Sequence, residues 1–176
     1  MAKVYLGFGS NKGDRLQFVK KAIFEIGSIE GTSVTKISKV YETKPWGIKE
    51  QNDFLNCVAE ITTILEAEEL ATRLKVAEKI VGRTASSKWY EREIDIDLLF
   101  YANRIVNTES LRIPHAELEN RNFVLVPLNE IAPDLVHPVS GKKISELLHD
   151  SGDDLGVTEF AELIPDEEIL RLTQTQ

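Results

Sequence analysis

Cysteine is almost absent: Cys57 is the one copy in the chain. That excludes an internal disulfide and any metal site built on several thiolates. Its place inside an apolar alternation makes it a small core residue. Histidine is nearly as scarce, with three copies and no H-x-x-H or H-x-x-x-H pair, so zinc is not expected. No signal-peptide pattern opens the sequence, and no apolar run approaches the about 18 residues of a membrane-spanning helix. A soluble, cytoplasmic protein without membrane contacts is the expectation. Positive charge is in deficit as well: 21 Lys and Arg face 29 Asp and Glu, for a net charge of -8. This disfavours nucleic acid as a partner and requires any phosphate chemistry to rest on a few well-placed cations or metals. Standard phosphate fingerprints are missing too. In Gly7-Phe8-Gly9-Ser10-Asn11-Lys12-Gly13, Lys12 stands where a dinucleotide fold needs its third glycine, and no P-loop Gly-Lys-Ser/Thr follows.

What is present is an ordinary globular composition, 42% hydrophobic and 28% charged over 176 residues, enough for one domain with a substantial core. Residues 3–8 alternate as a strand and end in the glycine-rich turn. Asp14 then caps a helix with a buried stripe of Leu16, Val19, Ile23 and Ile26, closed by Gly27. Residues 34–43 read as a second strand, followed by a polar loop carrying Pro45-Trp46-Gly47. In the third strand, residues 54–63, Leu55, Cys57, Ala59 and Ile61 share one face. Phe54 and Asn56 share the other, an aromatic plane beside an amide, which suits a flat heterocycle, with a cross-strand packing pair as the plain reading. Residues 67–81 form a second helix with Leu70, Leu74, Ala77 and Val81 at helical spacing and Gly82 at its end. Glu78 lies in its last turn, where the macrodipole disfavours a carboxylate.

A fourth strand covers residues 93–101. Ile94, Ile96, Leu98 and Phe100 fall on one face; Asp95, Asp97, Leu99 and Tyr101 fall on the other. Two residues of strand rise place the carboxylates roughly 7 Å apart, a repulsion of about 2 kcal/mol at an effective dielectric of ~20. A solvated face with paired acids is the plain reading of such a motif. Here Arg83, Lys88, Trp89 and Arg92 precede it directly, which favours a hard divalent cation between the two acids, Mg²⁺ above all. The order strand, helix, strand, strand, helix, strand is the βαββαβ pattern of an α+β, ferredoxin-like antiparallel sheet with helices on one face. Its other face is left to the C-terminal portion, which carries Arg112, Pro114-His115, Arg121, Phe123 and His137-Pro138. The expected division is a domain over residues 1–149 and an acidic extension over 150–176, with a possible helix through Ile164, Ile169 and Leu172.

Taken in order, these motifs resemble the 6-hydroxymethyl-7,8-dihydropterin pyrophosphokinases. The resemblance rests on Gly9-Ser10-Asn11 with Gly13, on Tyr41, Thr43, Pro45 and Gly47 with Phe54-Leu55-Asn56, and on Gly82-Arg83 with Trp89, Arg92 and Ile94-Asp95-Ile96-Asp97. It continues through Pro114-His115, Arg121, Phe123-Val124-Leu125, Pro127-Leu128, Glu130-Ile131-Ala132-Pro133 and His137-Pro138. The resemblance implies transfer of pyrophosphate from ATP to the pterin hydroxymethyl group, with release of AMP, in folate biosynthesis. It implies that Asp95 and Asp97 hold two Mg²⁺ ions and that Arg83, Arg92 and Asp97 carry catalysis. Thr43, Pro45, Trp46, Phe54, Asn56 and Phe123 are then the pterin residues. Glu78, Lys88, Trp89, Arg92, Leu98, Arg112, His115 and Arg121 are the ATP residues. The expected partners are these two small molecules, and the expected state is a monomer or weak homo-oligomer. Departures from the family pattern are Tyr90-Glu91 before Arg92, Ala85 two residues after Arg83, Ala116 after His115, and Lys44. A non-catalytic ferredoxin-like binding module, or another Mg²⁺-dependent phosphoryl-transfer enzyme, are the alternatives. Loss of the site acids and arginines would favour the first, and loss of Phe54, Asn56 and Phe123 the second.

Overall fold

The computed structural model describes residues 1–45, 50–84 and 91–163. Strand β1 (Ala2–Ser10) leads through the glycine turn into α1 (Arg15–Gly27), and β2 (Thr32–Ile37), β3 (Val40–Thr43) and β4 (Phe54–Thr63) follow. Helix α2 (Ala67–Val81) and β5 (Asp95–Tyr101) complete the βαββαβ unit. The sheet runs β5-β1-β4 with every pairing antiparallel, and β2 and β3 share the far edge of β4. This is the α+β, ferredoxin-like arrangement expected from the order of periodicities. Among the described residues, no helix is long and apolar enough to cross a membrane.

The caps act as the sequence predicts, with one exception. The Asp14 carboxylate accepts the Gln17 N–H at 3.1 Å and starts α1. Gly82, at φ 123°, stops α2, its N–H turning back to the Glu78 and Lys79 carbonyls. Gly27, however, is the last residue of α1 rather than its stop; the chain turns at Gly31, where φ is 73°.

Two other expectations are corrected. Residues 34–43 do not form one strand. The Ser38 hydroxyl accepts the Val58 N–H at 2.9 Å while the Ser38 N–H donates to the Val58 carbonyl at 2.9 Å. A side chain thus takes over a place in the ladder and splits the segment into β2 and β3. The alternation along β5 also fails at its end. Tyr5 pairs with Phe100 and the next residue, Leu6, pairs with Leu98, so Leu99 is the extra residue of a β-bulge. The phase slips there: Phe100 joins Leu99 on one face, and Tyr101 joins Leu98 on the other.

That slip helps build a second core. The first lies between the sheet and α1 and α2, with Leu6, Ile23, Ile61, Leu74 and Ile96 fully buried. The second covers the other face, where Tyr5, Val58, Leu99 and Phe100 pack against α3 (Asn122–Ile131) and α4 (Ile144–Asp150). A small hairpin, β6 (Val106–Asn107) with β7 (Arg112–Ile113), projects beside β5. The extension contributes a strand as well: β8 (Val157–Ala161) pairs with β3 and becomes the sheet edge. The possible helix through Ile164, Ile169 and Leu172 lies outside the described residues.

Candidate active site

Asp95 and Asp97 occupy the start of β5, opposite Gly9 and Gly7 of β1. Both carboxylates face the side of the sheet that α3 covers only in part, and there they border a cleft. Thr43, Phe54, Asn56, Arg92, Arg121 and Phe123 line the same cleft. Four of the six predicted pterin residues are therefore brought together with both predicted metal ligands. Pro45 is buried at the end of β3, and Trp46 lies outside the described residues.

Each wall has a local cause. The period of two on β4 sends Phe54 and Asn56 to the cleft while Leu55 and Cys57 enter the core. The Asn56 amide donates to the Thr43 hydroxyl at 2.7 Å, across the register pairs that join β3 and β4. Its Oδ1 lies 3.2 Å from where a Cβ on Gly9 would stand, so the glycine at this position makes room for the amide. The Arg92 guanidinium sits 5.5 Å from the Phe54 ring centre, and that of Arg121 sits 5.8 Å from the Phe123 ring centre. Two aromatic planes with cations beside them thus border one pocket.

Behind the two aspartates lies a network of alternating charge. Asp95 is gripped by Arg92 on one oxygen and Arg83 on the other. Arg83 also pairs with Glu78 at 2.6 Å. Glu78 is buried; its other oxygen accepts the Lys75 ammonium at 2.8 Å and the Ile96 N–H at 2.8 Å. These contacts explain a carboxylate at an unfavourable helix end: Glu78 anchors β5 and holds Arg83. Burial pushes the Asp95 carboxyl up to about 6, and the neighbouring Asp97 adds to the rise against the pull of Arg92 and Arg83. Both Asp95 oxygens are thus paired with guanidinium groups in a buried setting.

Sequence reasoning gave Asn11 and Glu93 no task, and the structure gives each one. Asn11 is fully buried, its Oδ1 accepting the Arg92 N–H at 2.8 Å and its own N–H donating to the Arg92 carbonyl at 3.1 Å. Its amide reaches Gln51 at 3.2 Å, so one side chain joins the glycine turn, the loop before β4 and the approach to β5. The Asn following Gly-Ser was the available signal. Glu93 accepts Lys12 at 2.6 Å and both the N–H and hydroxyl of Thr84. Burial would raise its carboxyl, but these donors prevail and hold it at about 2. Glu91, a departure from the family pattern, accepts the Asn52 side chain at 2.7 Å.

A second cleft opens on the other side of Asp97. Leu98, Arg112 and His115 line it, with Lys75 and Ala116. His115 is positioned by its N–H, which donates to the Leu99 carbonyl at 3.0 Å. Asp97 therefore borders both clefts, the second carrying Lys75, Arg112 and His115 together with Glu68 and Glu109. Of the other predicted ATP residues, Glu78 reaches the site through Arg83, Arg121 belongs to the first cleft, and Lys88 and Trp89 lie outside the described residues. The donor set suits Mg²⁺, a hard cation commonly held by one or two carboxylates with phosphate oxygens and water completing the shell. Among the described residues no group of three or more Asp, Glu, His or Cys side chains could hold a metal ion.

Comparison with known proteins shows the family. Residues 5–133 match the family model of 7,8-dihydro-6-hydroxymethylpterin-pyrophosphokinase. The chain is 46% identical over 146 residues to the 2-amino-4-hydroxy-6-hydroxymethyldihydropteridine pyrophosphokinase of Aquifex aeolicus, covering 83% of this chain and 90% of that one. It is 39% identical over 153 residues to the protein of the same name from Haemophilus influenzae, covering 87% and 95%. In fold it is similar to the crystal structure of Plasmodium falciparum HPPK-DHPS, with a TM-score of 0.67 at 15% identity, covering 85% of this chain and 43% of that longer one. The chain belongs to the 7,8-dihydro-6-hydroxymethylpterin-pyrophosphokinase family.

Proposed function

We propose that the chain carries out its family's reaction where the two clefts meet. The pyrophosphoryl group of ATP passes to the hydroxymethyl oxygen of 6-hydroxymethyl-7,8-dihydropterin, and AMP leaves, as a step in folate biosynthesis. A bond forms between the hydroxymethyl oxygen and the β-phosphorus; the bond from that phosphorus to the AMP oxygen breaks. The observation that carries the reading is the place of Asp97, which borders both the Phe54–Asn56–Phe123 pocket and the Leu98–Arg112–His115 cleft. An acceptor ring in the first and a nucleotide in the second would meet at the β5 carboxylates.

The chemistry asks for position and charge rather than a covalent nucleophile. Asp95 and Asp97 would hold two Mg²⁺ ions, which when bound neutralise charge on the phosphates. Arg83 and Arg92, fixed by Glu78 and Asn11, supply donors for phosphate oxygens. Arg112, His115 and Arg121 bind and orient ATP, with Leu98 against the nucleoside; Lys88 and Trp89 belong to the same set. Phe54 and Phe123 stack on the pterin, and Asn56 reads its edge with Thr43, Pro45 and Trp46 beside it. Asp97 is placed to accept the hydroxyl proton. Both clefts are built from one chain, which favours a monomer, and the demand for ATP favours the cytoplasm.

Replacing Asn56 by alanine removes the one side-chain amide on the β4 wall and leaves its Thr43 partner unpaired. The expected result is a KM for the pterin raised about 30-fold or more, with KM for ATP changed by less than about threefold. A shared rise in both constants, or no rise, would assign the pocket to something other than the pterin.

A further inference from the structure

Helix α3 carries the Phe123 wall of the cleft, and its two ends are held differently. The C-terminal end is fastened to β3: Glu130 accepts the Tyr41 hydroxyl at 2.9 Å and the Lys39 N–H at 3.0 Å. The N-terminal end, next to Phe123, has no cap of its own, since Arg121 at the cap position makes no side-chain capping bond. It is also short of internal bonds. Pro127 lies inside the helix and has no N–H to give the Phe123 carbonyl four residues back.

The missing cap comes from the extension. The Asp153 carboxylate accepts the Asn122 N–H at 2.8 Å, and the Asp153 carbonyl accepts the Asn122 side-chain amide at 2.9 Å. A carboxylate there satisfies an otherwise orphaned helix donor and complements the helix dipole. The other carboxylate oxygen accepts the Leu155 N–H at 3.0 Å and fixes the turn that leads into β8. From there β8 runs along β3, with Val157 opposite Thr43. Phe160 lies 5.7 Å below the Arg15 guanidinium, and Leu163 is buried in the first core. One short segment therefore touches both walls of the pocket, the α3 wall at Asn122 and the β3 wall at Thr43. It lies beyond the residues 5–133 that match the family model.

We propose that residues 151–161 are a strap that sets the α3 wall against the β3 wall, with Asp153 a positioning residue that places Phe123 for the pterin ring. The described part of the 150–176 extension expected from the sequence thereby acquires a task. The inference rests on the pterin assignment of the cleft.

The test uses the full chain with Asp153→Ala and Asp153→Asn. Pterin affinity is measured by calorimetry with Mg²⁺ and a non-hydrolysable ATP analogue present, alongside affinity for the analogue. In Asp153→Ala the pterin Kd is expected to rise about tenfold while the nucleotide Kd stays within about twofold. Asp153→Asn keeps an oxygen for the Asn122 N–H and should remain within about threefold of the parent. An unchanged pterin Kd, or an equal loss for both ligands, would overturn the strap. Amide hydrogen exchange over residues 122–125 reads the same device without any ligand. It should quicken about tenfold in Asp153→Ala, and unchanged exchange would also overturn it. A parent chain that bound no pterin would instead count against the cleft assignment, with the exchange result still deciding whether the strap exists.

Discussion

Asp97→Ala is expected to lower kcat by about a thousandfold or more at saturating ATP and pterin. Asp97 is the carboxylate at which the two clefts meet. Under the proposed function its removal halves the hard-oxygen set offered to a divalent cation and deletes the proposed acceptor of the hydroxyl proton. The fold should survive, because among the described residues Asp97 makes no ion pair, whereas Asp95 is gripped by two arginines. Losing the repulsion between neighbouring carboxylates, about 2 kcal/mol at ~7 Å and a dielectric of ~20, should leave thermal stability equal or higher. The pairing of a large loss of turnover with an undiminished melting temperature is the signature. Asp97→Asn should behave almost as badly, since an amide keeps the volume but neither the charge nor the basicity. Steady-state kinetics and a thermal melt on each variant decide it, and turnover within about tenfold of the parent would remove Asp97 from the reacting centre.

Arg92→Ala should cost about a hundredfold to a thousandfold in kcat. The backbone of Arg92 is pinned on both sides by Asn11, through its N–H at 2.8 Å and its carbonyl at 3.1 Å, so truncation leaves the loop in place. What goes is a guanidinium held between Asp95 and the Phe54 ring. Arg92→Lys is expected to recover little, because an ammonium cannot reproduce a planar fork aimed at phosphate oxygens. Single-turnover rates at saturating nucleotide separate this loss from weaker binding: the chemical step should slow while the nucleotide Kd moves less than about tenfold. A variant that lost binding alone would make Arg92 a docking residue rather than a participant in transfer.

Much of this arrangement is legible in the residues themselves. Strand and helix periods are local properties, so the βαββαβ order, the Asp14 and Gly82 caps and the two faces of β4 follow from short windows of sequence. Asp95 and Asp97 are adjacent on one face for the same reason. Register is different. Whether Leu99 is an extra residue depends on how β5 meets β1, and no pattern within β5 announces that Phe100 and Tyr101 change sides. The split at Ser38 depends on a hydroxyl meeting Val58 across the sheet. Asn11, Glu93 and Asp153 act through partners 81, 81 and 31 positions away in the chain. Only the closed fold brings such partners into reach. Glu78 lies between these cases: its awkward place at a helix end hinted at a task, and the buried contacts to Lys75, Arg83 and Ile96 supply it.

The most direct test of the central claim is the release of AMP from ATP and Mg²⁺, followed with and without 6-hydroxymethyl-7,8-dihydropterin. The expected result is AMP in amounts equal to the pterin consumed, together with the pterin diphosphate, and almost none when the pterin is withheld. AMP that formed equally well without the pterin, or a pterin left unmodified in the presence of ATP, would contradict it.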